Sequence, residues 1–117
     1  DLAVVSSKNY ASVFRCLYLS CYLSFEKSQE ILHILTQSVF RNGIVVGVPD
    51  NVPVAHKVGV YDQPGHGGVR SDCGIVYVPQ RPYILCVLVE GSRDQEEHML
   101  KFMHEVSARV YGFVSTM

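Results

Sequence analysis

Apolar positions follow a helical period at both ends of the chain. Residues 7–23 place apolar side chains at the three- and four-residue spacing of one helical face, and residues 25–39 do so again after Ser24, a common helix N-cap. Near the C-terminus, Ser92 and Gln95 match a capping box at the start of a third periodic segment. The apolar stripe of that segment consists of Met99, Phe102, Met103, Val106, Val110 and Phe113. The pattern predicts two helices in the first third of the chain and one helix at its end.

The middle of the chain has the composition of β-strands. Apolar segments at residues 54–61, 73–78 and 83–90 are separated by the glycine-rich residues 62–70 and by a proline-containing turn at 79–82. We expect one antiparallel sheet in that order, with the C-terminal helix across one face. The third strand is almost continuously apolar, as in strands covered on both faces, so we expect additional cover from outside these elements. The sequence therefore predicts an α+β fold with antiparallel strands flanked by helices.

The bulk composition fits one ordered domain over residues 1–117. Apolar residues make up 48% of the chain and charged residues 18%, which excludes a disordered chain. The net charge of -1 gives no electrostatic reason to bind nucleic acid or an anionic membrane. No apolar run reaches about 18 residues, so we expect no membrane span, and no signal peptide pattern is visible.

The four cysteines give no clear indication of a disulfide. Cys16 and Cys21 lie about 140° apart around a helix, so their side chains should not face each other. A hairpin that turns near Arg81 would pair residue 73 with 89 and residue 76 with 86, which leaves Cys73 and Cys86 out of register on neighbouring strands. We interpret both as small buried apolar residues, with a disulfide as the alternative, and the redox compartment stays open.

The pattern with the most chemical content is a lysine followed two residues later by a glycine. Lys57 and Gly59 lie on the first predicted strand, just before the glycine-rich residues 62–70. Taken alone this pattern is weak, since an ordinary exposed strand lysine explains it better than a functional one. Its value comes from the surrounding order of two helices, a strand meander and a closing helix.

That order resembles the C-terminal third of class A β-lactamases and related D-alanyl-D-alanine peptidases, in which a Lys-Thr-Gly strand borders the active site. The segments that carry the resemblance are Leu17-Tyr18, Tyr22-Leu23-Ser24, Gly47-Val48-Pro49, Val54-Ala55-His56-Lys57, Asp72-Cys73-Gly74-Ile75-Val76-Tyr77 and Pro82-Tyr83-Ile84-Leu85. The resemblance covers nearly the whole chain and implies the C-terminal portion of a serine β-lactamase or penicillin-binding fold.

The resemblance implies a role for each residue of the strand segment. Lys57 would place positive charge near the carboxylate of a β-lactam or a D-alanyl-D-alanine peptide, and Gly59 would let the substrate backbone approach. The backbone N–H of Val60 would be one of two oxyanion-hole donors, each able to supply about 3 kcal/mol in the transition state. Val58 stands where the family has Thr or Ser, whose hydroxyl binds the substrate carboxylate. Because valine cannot donate that hydrogen bond, we expect weak, altered or lost penicillin recognition.

Two short motifs imitate the other catalytic sequences of the family. Ser24 and Lys27 have the Ser-x-x-Lys spacing of the nucleophile motif, and Ser7 and Asn9 have the Ser-x-Asn spacing. In the family Ser-x-x-Lys comes first and the two motifs lie far apart; here the order is reversed and they are close. We interpret Ser24 as an N-cap and Ser7 as a helix start. The true nucleophile, its lysine base and any general-base glutamate are expected upstream of Asp1.

The histidines do not predict a metal site, and we expect no metal and no cofactor. His98 and His104 are six residues apart, on opposite sides of a helix, so they cannot share an ion. His33 lies on a helix flank, and only His56 is near the proposed site. The glycine-rich residues 65–68 could cradle a phosphate, but no helix N-terminus follows, which favours a strand connection.

Three functional hypotheses remain. The first is the C-terminal part of a serine hydrolase acting on β-lactams or D-alanyl-D-alanine peptides, in antibiotic resistance or cell-wall metabolism, and inactive as an isolated chain. The second is a catalytically dead relative that serves as a cell-wall or penicillin sensor or binding module, which Val58 favours. The third is a self-standing α/β interaction domain. The resemblance implies an extracytoplasmic bacterial location.

An incomplete domain would also need a partner. We expect the N-terminal part of the same protein, or a second copy of this chain, to cover two apolar surfaces. One is the sheet edge beyond residues 83–90, and the other is the helical face formed by Tyr10, Phe14 and Leu17.

Overall fold

The structure is a computed structural model that describes residues 5–65 and 67–117. The helices are α1 (Ser7–Leu19), α2 (Phe25–Leu35) and α3 (Glu96–Ser115), the strands are β1 (Val54–Gln63), β2 (Gly67–Val76) and β3 (Tyr83–Gly91), and 3-10 turns span Ile44–Gly47 and Arg93–Gln95. This confirms the predicted α+β architecture. The predicted glycine-rich connection at residues 62–70 is too long, because β1 extends to Gln63 and β2 begins at Gly67. His66, within that connection, lies outside the described residues. Within them, no helix has the length and apolar character needed to cross a membrane.

Serine side chains cap the starts of both N-terminal helices. The Ser6 hydroxyl accepts a hydrogen bond from the N–H of Asn9 at 3.1 Å, so Ser7 is the first residue of α1. The Ser24 hydroxyl accepts from the N–H of Lys27 at 3.2 Å at the start of α2. Each bond satisfies one of the N–H groups that have no partner within the helix. The predicted cap at Ser24 is confirmed.

Both N-terminal helices are shorter than predicted. α1 ends at Leu19 instead of residue 23, and α2 ends at Leu35 instead of residue 39. Ser20 stops α1 because its backbone is left-handed, with φ 58° and ψ 43°. Glycine or asparagine usually occupies this position, so the serine gave no sequence signal for a helix end.

The strands form one antiparallel sheet in the predicted order β1-β2-β3. In the turn between β2 and β3, the N–H of Arg81 donates to the carbonyl of Val78 at 2.9 Å, and Gln80 has a φ of 68°. With Pro79 before a residue of positive φ, this is the pattern of a type II β-turn. The turn is therefore centred between Pro79 and Gln80, and the predicted turn near Arg81 is wrong.

The corrected turn changes the interpretation of two cysteines. Cys73 lies directly opposite Cys86 instead of residue 89, and a disulfide joins them. The N–H of Tyr77 donates to the Pro53 carbonyl on the β1 side. Backbone direction repeats every two residues along a strand, so Cys73, four residues earlier, also directs its backbone groups toward β1. The cysteines therefore occupy a non-hydrogen-bonded pair of β2 and β3, where opposed side chains come closest. The prediction of unpaired thiols at these positions is wrong.

The sheet lies between two helical layers. One face packs against α1 and α2 in a cluster of Phe14, Leu32, Ala55, Cys73 and Ile75. The other face packs against α3 and the first 3-10 turn in a cluster of Ile44, Val45, Val48, Val54, Val76, Val78, Val87 and Met103. The C-terminal helix crosses one face as predicted. The N-terminal helices supply the cover that we expected from outside.

One predicted docking surface is part of the core. Phe14 is buried, and Tyr10 and Leu17 are partly buried against the same cluster. The stripe of α1 faces the sheet, so the prediction that it is free for a partner is wrong. The outer edge of β3, the second predicted surface, has no paired strand within residues 5–65 and 67–117.

Candidate active-site edge

The predicted site segment lies on β1, an edge strand of the sheet. Lys57 and Val60 are exposed, and Val58 and Gly59 are partly buried. In an antiparallel pair, the backbone N–H and C=O groups of successive residues point alternately toward and away from the neighbouring strand. The hydrogen bond from the N–H of Tyr77 to the Pro53 carbonyl shows that residue 53 points its backbone toward β2, so the odd-numbered residues of β1 do the same. The even-numbered residues of β1 then direct their backbone groups away from β2. The N–H of Val60 therefore points to the open edge.

A side-chain contact agrees with this orientation. The Lys57 ammonium donates a hydrogen bond of 2.7 Å to the carbonyl of Val58, a group that the alternation also places at the open edge. Lys57 thus holds its positive charge beside the unpaired backbone of β1. The edge offers a cation and an N–H donor to an incoming group. Their roles in binding and catalysis stay predictions.

The glycine of the segment meets a neighbour on β2. Gly59 lies opposite Ser71, and a Cβ added to Gly59 would be 2.6 Å from the Ser71 hydroxyl oxygen. A side chain at this position would therefore have to displace the hydroxyl. This gives Gly59 a structural reason to be glycine, besides the predicted approach of a substrate.

A buried histidine–aspartate pair lies next to the segment. The Nδ1 of His56 is 2.8 Å from Oδ1 of Asp72, and the two side chains are 1% and 0% exposed. The second oxygen of Asp72 accepts the N–H of Ile44 at 3.0 Å. A Cβ on Gly43 would collide with the same carboxylate. Asp72 therefore connects β2 both to β1 and to the chain at residues 43–44.

Sequence reasoning missed this pair. It placed His56 near the proposed site but assigned no role to Asp72. The two residues lie on different strands and at diagonal positions, with Asp72 opposite Val58, so only the correct register brings them together. The glycine at position 43 is the one local signal, since it leaves room for the carboxylate.

A buried arginine connects the same end of the sheet to α3. Arg70 is 4% exposed and bonds to the Asp62 carboxylate at 2.7 Å and, through Nε, to Glu96 at 2.9 Å. The hydrogen bond with Arg70 lowers the pKa of the Asp62 carboxyl. The pKa of Arg70 is raised, first by Asp62 and then by Glu96. This fixes Arg70 as a cation in the wall of the cleft.

The site segment borders a cleft of about 510 Å³. Its lining comes from the strand edge, the chain before the first 3-10 turn, and the start of α3. The lining residues are Phe40, Asn42, Gly43, Lys57, Val58, Gly59, Val60, Asp62, Arg70, Ser71, Arg93, Glu96, Leu100 and Met103. The cleft carries both cations and carboxylates beside the free backbone of β1.

The imitating motifs form no catalytic pair. The Ser24 hydroxyl caps α2, and the Lys27 ammonium contacts Glu30 at 3.4 Å. Ser7 lies within the first turn of α1. No group of three or more potential metal-binding His, Cys, Asp or Glu side chains occurs among the residues described.

Comparison with known proteins agrees with the geometry. A model of the beta-lactamase enzyme family matches residues 2–114. Among solved structures, PBP-A is 20% identical with a TM-score of 0.81, over 97% of this chain and 41% of PBP-A. The TLA-1 extended-spectrum β-lactamase is 19% identical with a TM-score of 0.82, over 92% and 41% of the two chains.

A class A β-lactamase of Bacteroides cellulosilyticus is 18% identical with a TM-score of 0.83, over 94% and 41% of the two chains. A search of the curated proteins finds no match. The chain thus spans about two fifths of the length of these solved relatives. The family match covers almost all of its residues, and the chain belongs to the beta-lactamase enzyme family.

Proposed function

We propose that this chain forms one wall of the active-site cleft in a serine acyl-transfer hydrolase acting on β-lactams or D-alanyl-D-alanine peptides. The nucleophilic serine and its lysine base would come from a part of the protein outside this chain, and the isolated chain would be inactive. Family membership supports the reaction class. The names of the relatives point the same way, since they include extended-spectrum β-lactamases and a PBP-A variant solved as an acyl-enzyme complex with penicillin G.

The observation that carries the proposal is the outward N–H of Val60 beside the exposed ammonium of Lys57. A carbonyl under nucleophilic attack develops negative charge on its oxygen, and a fixed N–H stabilises that charge without reorganising. Lys57 would attract the substrate carboxylate, after releasing the carbonyl of Val58. Serine acyl transfer of this kind needs no metal and no cofactor.

Val58 supports the alternative of a binding module or sensor that has lost catalysis. It occupies the position where a hydroxyl would bind the substrate carboxylate, and it cannot donate a hydrogen bond. Replacing it with a residue of similar shape that carries a hydroxyl, Val58→Thr, should tighten penicillin binding roughly tenfold, the value of one charge-assisted hydrogen bond.

The direct test is NMR titration of the labelled chain with benzylpenicillin and with a D-alanyl-D-alanine peptide. We expect the amide signals of Val60 and its strand neighbours to shift, and Lys57→Ala to weaken the response. The matched control is Lys101→Ala, an exposed lysine on α3 that does not line the cleft. Absence of any shift at millimolar ligand, or an equal response in both variants, would contradict the proposal.

A second experiment separates the hydrolase from the alternative. Native protein isolated from its source should form one covalent adduct per molecule with a fluorescent penicillin if it is an acyl-transfer enzyme. Reversible binding without an adduct would favour the sensor or binding module. The chain by itself should neither form an adduct nor hydrolyse a chromogenic cephalosporin.

The proposal also covers the partner of the chain and the location of the protein. The outer edge of β3 is open within the described part of the chain, and exposed strand edges pair readily with other strands. The preceding part of the same protein, or a second copy, is the proposed occupant. An extracytoplasmic bacterial location is supported by the Cys73–Cys86 disulfide, since structural disulfides persist in oxidising compartments. Antibiotic resistance or cell-wall metabolism would be the corresponding biological setting.

A further inference from the structure

The end of α1 brings a second pair of cysteines together. Ser20 is left-handed, and the N–H of Cys21 turns back to donate to the carbonyl of Cys16 at 2.9 Å. This six-residue closure is a Schellman motif, in which the N–H of the residue after the left-handed one donates to the carbonyl of a residue in the last helical turn. Those two residues here are Cys21 and Cys16. The prediction that they do not face each other is wrong, because the helix ends before it reaches Cys21.

Both thiols are free and accessible to different degrees. Cys16 is partly buried and Cys21 is exposed. The Cys16 side chain is the main cause that raises the pKa of the Cys21 thiol, through a hydrogen bond. In a Schellman motif the side chains at these two positions frequently contact each other, which is the approach that a disulfide requires.

We propose that Cys16 and Cys21 are a dithiol site that forms a second, reversible disulfide by exchange with a small disulfide such as oxidised glutathione. One cysteine loses its proton and attacks a glutathione sulfur. The sulfur–sulfur bond of oxidised glutathione breaks, and one glutathione leaves as a thiolate. The other cysteine then attacks the protein sulfur of the mixed disulfide and displaces the second glutathione. Two protein thiols are oxidised, and one oxidised glutathione is reduced to two molecules of glutathione.

This site differs chemically from the disulfide of the sheet. Cys73 is 1% exposed and its bond to Cys86 is held by the register of two strands, whereas Cys21 is exposed at a helix end. Exposed disulfides are reduced more readily than buried ones because a thiolate can reach them. We therefore expect the Cys16–Cys21 bond to be the labile one, and its formation rate to rise with pH as the thiolate fraction grows.

The test is to equilibrate the chain in glutathione buffers of increasing oxidised fraction, block free thiols with an alkylating reagent, and digest with trypsin. Cleavage after Arg15 and Lys27 gives a peptide, residues 16–27, that contains both cysteines. As the oxidised fraction rises, we expect this peptide to change from a doubly alkylated form to an unalkylated form. The mass of the unalkylated form should be that of the free dithiol peptide minus two hydrogens. The peptide of residues 71–93, which contains Cys73 and Cys86, should stay oxidised at ratios that reduce the first pair.

A single-cysteine variant provides the control. In Cys16→Ser, the exposed Cys21 should hold one glutathione as a mixed disulfide, because no second thiol can displace it. A residue 16–27 peptide that remains doubly alkylated in the most oxidising buffer would overturn the proposal. So would disulfide-linked dimers through Cys21 in place of the internal bond, or a Cys21 in the variant that takes up no glutathione.

Discussion

The two faces of the sheet are built from different side chains. The face under α1 and α2 is filled by apolar residues such as Ala55 and Ile75. The face under α3 is apolar at one end but buries His56, Arg70 and Asp72 toward the other, where the cleft lies. Apolar packing depends on volume and is not directional, whereas buried polar groups need specific partners. The difference shows that directional bonds, more than packing, hold the surroundings of the cleft in place.

The buried pair should give the largest effect. Asp72→Leu keeps the branched shape of the side chain, with larger methyl groups in place of the oxygens, and leaves His56 and the N–H of Ile44 without their partner. We expect a loss of about 4 kcal/mol in the free energy of unfolding, since removing one member of a buried polar pair is strongly destabilising. Urea denaturation measures it. Asp50→Leu, at an exposed carboxylate, is the control, and equal losses in the two variants would remove the distinction.

The apolar face should respond to volume alone. Leu32→Ala deletes a side chain that is 2% exposed and should cost about 3 kcal/mol, whereas Leu32→Met keeps the volume and should cost less than about 1.5 kcal/mol. Denaturation of the two variants tests this. If Leu32→Met lowered the free energy of unfolding as much as Asp72→Leu, the proposed difference between an apolar face and a face held by directional bonds would be contradicted.

A helix cap should have a smaller effect. Ser24→Ala removes the hydroxyl that accepts the N–H of Lys27 and should lower the free energy of unfolding by about 1 kcal/mol. Ser20→Ala is the control, because the Ser20 side chain makes no cap hydrogen bond. It shows the effect of replacing a serine at a helix end without the loss of such a bond. If the native protein forms a penicillin adduct, Ser24→Ala should leave adduct formation unchanged. Loss of the adduct would mean that Ser24 is the nucleophile.

The ion pair between Arg70 and Asp62 at the cleft should give the smallest effect, which is measured as a change in how the free energy of unfolding depends on pH. Arg70 lowers the pKa of Asp62, so Asp62 contributes stability above its unfolded pKa of about 4, and that contribution disappears as the pH falls through its lower folded pKa. Asp62→Asn should therefore lose stability less steeply below about pH 4. Some pH dependence of the free energy of unfolding should remain in this variant, because the pKa of Asp94 is also lowered, mainly by a hydrogen bond with Ser92. An unchanged slope in Asp62→Asn would contradict the ion pair.

Much of the fold follows from local patterns. The strand order, the cap at Ser24 and the capping box of Ser92 and Gln95 are all predicted from sequence and confirmed. Two of the errors come from non-glycine residues with positive φ, Ser20 and Gln80, which moved the end of α1 and the register of β2 and β3. Such backbone conformations depend on surrounding contacts that composition does not reveal.

Some features of the candidate site are likewise predictable from local sequence, and others are not. The lysine and glycine of the strand segment are visible in the sequence, because their spacing is local. The direction of the Val60 N–H depends on the register with β2, and the pairing of His56 with Asp72 depends on contacts between distant positions. These features require the assembled sheet.

The Cys73–Cys86 disulfide has a mechanical consequence. It cross-links β2 to β3 through a side-chain bond, while β1 is held to β2 by noncovalent contacts, which include the Arg70–Asp62 ion pair and the His56–Asp72 bond. Under a pulling force, or during a local opening fluctuation, β1 is the strand that can peel away without breaking a covalent bond. The strand that carries Lys57 and Val60 is therefore the detachable one, and the cleft can be lost while the rest of the sheet stays assembled.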